Sequence, residues 1–198
     1  MKFLNKFLAI AAVFTLVSCG GAKQEESTEE DTAASEEMEM EKEESAKPMA
    51  MAAISSASGS TLSGEANFTD NGDGTVAFEL SVSGAAPGTH AIHLHANGDC
   101  SAPDATSAGG HWNPADVDHG KRGESQMFHA GDIDNLVVGE DSTGSLSMSV
   151  KGWSVGGADS TNVVGKAIII HASADDFTSQ PSGAAGPRVG CGVVKEKM

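Results

Sequence analysis

The sequence predicts an all-β fold, a sandwich or barrel of short strands, and three observations carry that expectation. From about Met49 onward the apolar residues fall in short, often alternating runs, and turns rich in glycine and proline separate those runs. No window of helical length carries an apolar stripe with a period of about 3.6 residues. Glycine accounts for 24 of 198 residues, well above the ~7% usual in a globular chain.

The elements follow in chain order. Thr61–Phe68 is an early run, closed by Asp70-Asn71-Gly72-Asp73-Gly74. Asn-Gly and Asp-Gly accept the positive φ of a tight turn, so this segment reads as a hairpin. Thr75–Ser83 then alternates apolar and polar with period two, and His90–His95, Leu146–Val150 and Lys166–His171 are further strand candidates. Between them, Ala96–Asn135 is long, polar and rich in Gly, Asp and Pro. A loop of that length inside a compact domain is normally functional.

Composition excludes some partners. A formal charge of -16 argues against nucleic acid, because phosphate binding needs a cationic face. With 5% aromatic residues and no Tyr, stacked-aromatic platforms are excluded as well. The charge is also segmental: Lys2 and Lys6 stand alone in 1–19, residues 20–47 carry eleven acids (Glu25 through Glu44) against three lysines, and the remainder carries a net -10.

The first segment has the physics of an export signal. A cationic start is followed by an eleven-residue, predominantly apolar stretch, Phe7–Val17, too short for a hydrocarbon core that needs ~20. Leu16-Val17-Ser18-Cys19-Gly20 resembles the lipobox of bacterial lipoproteins, in which the Cys is lipidated and becomes the mature N-terminus. The expectation is a signal peptide over 1–19 and lipidation of Cys19, giving a membrane anchor that does not span the bilayer. That places the domain in the bacterial cell envelope, facing the periplasm or the cell surface. Residues 20–48 cannot bury enough apolar surface to fold and are expected to form a disordered acidic tether. Met38, Met40, Met49 and Met51 cluster at its end; thioethers suit Cu(I), but low complexity running into a first strand is the favoured account of the cluster. Export leaves Cys100 and Cys191, which is consistent with one disulfide, with two free thiols as the alternative.

The seven histidines are the anomaly of the composition. In His90-Ala91-Ile92-His93-Leu94-His95, strand alternation puts His93 and His95 on one face and Ile92 and Leu94 toward the core. His90 has the core-side parity, so it is expected to be structural. The long loop adds His111, His119, His129 and Asp132, and His171 ends an apolar strand. Imidazoles with one carboxylate suit Zn(II) and Cu(II) and argue against an all-oxygen calcium site. A zinc hydrolase of the HxHxD type is disfavoured, because Asn97 stands where its Asp would be.

At these residues the sequence resembles copper/zinc superoxide dismutase. The matching blocks are His93-Leu94-His95, Gly98-Asp99-Cys100, Ser107-Ala108-Gly109-Gly110-His111-Trp112-Asn113-Pro114, His119-Gly120, His129-Ala130-Gly131-Asp132, Gly165–His171 with Asp175-Asp176, and Gly186-Pro187-Arg188-Val189-Gly190-Cys191-Gly192. The resemblance runs from about residue 49 to 198. It implies an eight-stranded Greek-key β-barrel, an immunoglobulin-like sandwich with long metal-binding loops outside it. It also implies dismutation of superoxide to dioxygen and hydrogen peroxide.

Carried over by motif, copper is expected on His93, His95, His111 and His171, and zinc on His111, His119, His129 and Asp132. His111 would bridge the two and carry a proton. Asp175 would accept hydrogen bonds from His93 and His119, Cys100 and Cys191 would form the family's disulfide, and Arg188 would guide the anion. A homodimer is compatible with the resemblance. The competing expectation is a copper-binding or copper-storing envelope lipoprotein without turnover; Arg188 and Asp175 favour the enzyme, since storage needs neither. Three departures stand out: Asp176–Ser182 is short and contains no Lys, Phe128 stands where a polar or basic residue is common, and Asp134 replaces a frequent Gly.

Overall fold

The computed structural model describes residues 47–197, which lie within the compact unit Glu44–Met198. The expected signal peptide, Cys19 and all of the tether except Lys47 and Pro48 lie outside the described residues. Among the described residues no helix is long and apolar enough to cross a membrane.

The fold is all-β. Its strands are β1 (Met49–Ser56), β2 (Ser63–Asp70), β3 (Thr75–Ser83), β4 (Gly88–His90), β5 (Ile92–His95), β6 (Leu136–Val138), β7 (Thr143–Lys151), β8 (Ala167–His171), β9 (Arg188–Val193) and β10 (Lys195–Glu196). They pair antiparallel in the order β4-β6-β7-β3-β2-β1-β9-β8-β5, with the two-residue β10 beside β1. β4 and β5 are one crossing interrupted at Ala91, yet they stand at opposite ends of that order. The path therefore returns to itself as a nearly closed barrel, and with β4 and β5 taken together and β10 set aside there are eight crossings. The break is pinned on both sides: Ala91 N–H donates to Ser173 O at 2.8 Å, and His171 N–H donates to Ala91 O at 3.0 Å.

Period-two patterning builds the barrel wall. In β3, Val76, Phe78, Leu80 and Val82 are buried and the residues between them face out. Phe78 lies opposite Phe68 across the β2–β3 ladder, with ring centroids 5.2 Å apart, and Trp153 closes the cluster at 6.0 Å from each. Burying a side chain of this size stabilises by about 1.5–3 kcal/mol. β9 carries no such alternation. At Gly190 a side chain would run into Leu62 at 2.7 Å, so close strand packing excludes the residue types by which strands are recognised.

The pairing of β5 with β8 positions the site. Ile92 lies opposite Ile170 and Leu94 opposite Ile168, and all four join the barrel core. His93 and His95 point to the opposite face, as parity predicts, but that face is not solvent: they are 0% and 1% exposed. The long loop folds back over them. Trp112 N–H donates to Leu94 O and Leu94 N–H to Gly131 O, both at 2.8 Å, so loop segments pair with β5 as if they were strands. The Cys100–Cys191 disulfide, with Cα atoms 5.8 Å apart, ties the start of the loop to β9. Beneath it Ala105, Ala108, Ala167 and Ile169 form a second small apolar cluster.

Candidate metal centre

His93 and His95 come from β5 and His171 from the end of β8, while His111, His119, His129 and Asp132 come from the loop between β5 and β6. The structure brings all seven together. Atoms of His93, His95, His111 and His171 lie within 4.8 Å of one another, as do atoms of His93, His111, His119 and Asp132. His129 adjoins the second group, its Nδ1 lying 3.2 Å from His111 Nδ1 and 3.4 Å from Asp132 Oδ1. His90, of core-side parity, stands apart with its ring nitrogens against the carbonyls of His171 and Ala86, at 2.7 and 2.8 Å.

Five of these rings are oriented by a bond on their far nitrogen. A carbonyl or carboxylate only accepts, so each such bond fixes where the ring proton sits and which nitrogen keeps its lone pair. His95 Nδ1–H donates to Gly109 O at 2.8 Å and His171 Nδ1–H to Gly186 O at 3.0 Å, leaving Nε2 free on both. His93 Nε2–H donates to Asp175 Oδ2 at 2.8 Å and His119 Nε2–H to Asp175 Oδ1 at 2.9 Å, leaving Nδ1 free on both. His129 Nε2–H donates to Val117 O at 3.1 Å, again leaving Nδ1. His111 differs: its Nδ1 faces Asp132 Oδ1 at 2.9 Å, and its Nε2 is buried on the opposite side of the ring.

Apart from His129 Nδ1, which faces His111 Nδ1, the free nitrogens have no protein hydrogen-bond partner. Among the described residues, His93 Nδ1, His95 Nε2, His111 Nε2, His119 Nδ1 and His171 Nε2 are buried without a hydrogen bond. Asp132 Oδ2 lies 3.0 Å from His119 Nδ1 but out of line for one. Leaving a buried polar group unmade costs roughly 1–3 kcal/mol, and lone pairs gathered in two overlapping groups are offset by a cation bound in each. Borderline imidazole donors with one hard carboxylate fit copper and zinc.

Electrostatics keeps His95, His111 and His171 available as donors and holds a proton on His119 until a cation displaces it. Burial pushes His95 down to about 2, His171 to about 3 and His111 to about 4, so their rings are neutral at physiological pH. At His119 burial works in the same direction, but Asp132 and Asp175 outweigh it and raise it to about 9. Both aspartates are held well below the usual carboxylate range: burial opposes this, and histidine hydrogen bonds prevail.

The centre opens into a cleft of about 580 Å³, with His95, His111, His129 and His171 in its lining. Arg188 stands in the wall, where Nη1 donates to Ala105 O and Nη2 to Gly109 O, both at 2.6 Å. Gly109 O therefore holds both Arg188 and His95. Across the cleft lie Asp116, Asp118 and the short segment around Gln180–Ser182. In that segment Gly183 has φ +62° and packs so closely on Asp175 and His119 that a side chain there would overlap both.

Two further residues were not legible in the sequence. Gln180 clamps the peptide of His119: its Oε1 accepts from His119 N–H and its Nε2 donates to His119 O, both at 2.9 Å. Arg122 reaches the backbone of His129–Asp132. Side-chain bonds to distant backbone leave no periodicity or spacing; the sequence hint was the pair of departures at Phe128 and Asp134.

Comparison with known proteins closes the case for kinship. A solved structure described as that of the clock protein EA4 is 31% identical, covers 75% of this chain and 94% of its own, and superposes with a TM-score of 0.67. Its printed role belongs to that protein, since a shared fold does not transfer a function. Residues 62–194 match the family described as copper/zinc superoxide dismutase (SODC). The chain belongs to the copper/zinc superoxide dismutase family, a family of oxidoreductases.

Proposed function

We propose that the protein dismutates superoxide in the bacterial cell envelope, tethered through a lipid on Cys19. His93, His95, His111 and His171 would hold copper, and His111, His119, His129 and Asp132 would hold zinc. One observation carries the site: five orphaned ring nitrogens converge on the two sides of His111, and the rings around it are oriented by bonds on their far nitrogens.

Copper, when bound, supplies one-electron redox chemistry, and zinc supplies a fixed charge without redox chemistry. The chain supplies the rest. Arg188, beside His95 and His111 in the cleft wall, offers charge-assisted donors to the incoming anion. Two of its five N–H groups are engaged by carbonyls, which hold the guanidinium in place and leave others for the substrate. His111 Nε2 is the atom suited to take up and return a proton: it is buried at the cleft, lacks a protein partner, and its other nitrogen is anchored at Asp132. Asp175 orients His93 and His119 together. The balance consumes two superoxide anions and two protons and releases one dioxygen and one hydrogen peroxide.

The expected metal content of the purified protein is one copper and one zinc per chain. Superoxide decay followed with copper and zinc supplied should be fast in the parent chain and fall to background in His171→Ala. Retained activity in that variant would defeat the assignment, and a metal-loaded chain without turnover would mark a copper store instead. For the envelope reading, Cys19→Ala should release the protein from the membrane fraction; unchanged partitioning would remove the anchor.

A further inference from the structure

We propose that Arg122 is a positioning residue that shapes the loop half of the centre and sets how firmly zinc is retained. This rests on the zinc reading given above. The juxtaposition behind it is one guanidinium bonded to three carbonyls of the short turn that carries His129 and Asp132. Nε donates to Asp132 O at 3.0 Å, and Nη2 donates to Ala130 O at 2.5 Å and, at the longer 3.4 Å, to His129 O.

The turn is also pinned at its middle by backbone pairing, Gly131 N–H donating to Trp112 O at 2.9 Å and Gly131 O accepting from Leu94 N–H at 2.8 Å, which leaves the carbonyls of His129, Ala130 and Asp132 to other partners. Its own backbone contributes Asp132 N–H to His129 O at 3.1 Å, and the Asp132 carboxylate accepts His129 N–H at 2.8 Å. Trp153 Nε1–H adds a second bond to Ala130 O at 2.7 Å. With the carbonyls gathered toward Arg122 and Trp153, His129 Nδ1 and Asp132 Oδ1 remain free to face His111. A planar fork of donors suits this work better than a single ammonium, because several carbonyls must be held at once.

The same arginine accounts for one departure from the family pattern. Phe128 leaves the position before His129 without a cation, and the Arg122 guanidinium stacks over its ring at 4.9 Å, reaching back from six positions earlier in the chain. Trp153 lies on it as well, at 5.5 Å. Burial lowers the Arg122 pKa from its usual range, and the charges of Asp132 and Asp134 work against that. Phe128 and Arg122 thus form one brace. Half-buried, Arg122 spends its donors on loop carbonyls.

The test uses the full chain loaded with both metals and compares Arg122→Ala, Arg122→Lys and, as a neighbouring control, Lys121→Ala, whose ammonium pairs with Glu124 at 2.5 Å near the surface. Zinc release to a chelator and copper release are timed in the same samples, and Co(II) placed in the zinc site reports its geometry by visible absorption. Removing groups that support a ligand typically costs 10–100-fold in metal affinity. Zinc release in Arg122→Ala should accelerate on that order, with an altered cobalt spectrum and unchanged copper release. Arg122→Lys should fall between, and keeps the test open should the alanine variant fail to fold. The control should match the parent.

Zinc release equal to the parent in both arginine variants would overturn the inference. So would zinc and copper release rising together with a matching fall in the melting temperature of the metal-free protein, which is the mark of a general structural role. A parent chain that takes up no zinc here would remove this inference and the zinc reading together; zinc held equally by parent and variants would remove this inference alone.

Discussion

Two halves of one centre are built in different ways. His93, His95 and His171 stand on β5 and β8, whose register runs from Ile92 opposite Ile170 to His95 opposite Ala167 through backbone pairing. His119, His129 and Asp132 stand on a loop whose shape depends on individual side chains: Gln180 on the His119 peptide, Arg122 on the carbonyls of 129–132, and Asn113 on Val117, whose carbonyl in turn orients His129. A ladder fixes position by repetition, so one altered bond is shared among its neighbours. A braced loop, backbone-paired only at isolated bridges, has less of that redundancy. The strand half should therefore tolerate single substitutions that the loop half does not, and His111, facing both, should report damage on either side.

The largest expected effect comes from cutting the tie between the halves. Replacing Cys100 and Cys191 together by Ser frees the start of the loop from β9; removing a native disulfide typically lowers stability by about 2–5 kcal/mol. Denaturant unfolding should show that loss, while hydrogen exchange accelerates in the loop before it does in the β5–β8 ladder. Equal deprotection of both would break the comparison.

Asp175→Asn probes a carboxylate bonded to a ligand of each half. An amide accepts through only one of its two atoms, so one of the two imidazole N–H groups loses its acceptor. His93 is held in the ladder and His119 is not, so the loop half should suffer. Zinc affinity should fall on the order of 10–100-fold and copper affinity less. A larger loss of copper in titration calorimetry would reverse the ranking of the two halves.

Arg188→Ala should lower the second-order rate with superoxide on the order of tenfold, with metal content unchanged, because the residue contributes charge to the cleft rather than a ligand. Against a chain charge of -16, the parent rate should stay below the diffusion ceiling of ~10⁹ M⁻¹s⁻¹. A parent rate at that ceiling, insensitive to salt, would contradict this.

The smallest effect expected is a pH optimum in the stability of the metal-free protein. His95, His111 and His171 have folded pKa values lowered to about 2, 4 and 3, so below about 6.5 the unfolded chain binds protons more readily and stability falls with falling pH. Asp132 and Asp175, also lowered, add to the acid loss once pH drops below about 3.9. His119, raised to about 9, stabilises below about 6.5 and loses that contribution as pH climbs toward 9. The melting temperature should peak near pH 6.5. A continued rise to pH 9 would show that Asp132 and Asp175 do not hold a proton on His119.

Strand parity made the first half of the centre readable. The alternation in His93-Leu94-His95 separates ligand face from core face, and the Cα register of β5 on β8 agrees with it. It did not show that the ligand face would be covered, since that depends on loop segments pairing with β5 in place of strands. β6, with three residues, and the glycine-bearing β9 escaped notice because period two needs length and side chains to appear. Arg122 and Gln180 escaped because a bond from a side chain to a backbone group seven to sixty-one positions away imposes no spacing on the sequence.

What the sequence determined alone is whatever depends on residue type and near neighbours: the all-β class, the segmental charge, the donor chemistry of six imidazoles and a carboxylate, and which faces of β5 they take. The tertiary structure decided the rest, namely which nitrogen of each ring carries the lone pair, which carbonyl or carboxylate orients it, and which outside residues brace the loop. Those are choices between nearly equivalent atoms, and only groups brought close by the closed barrel separate them in energy.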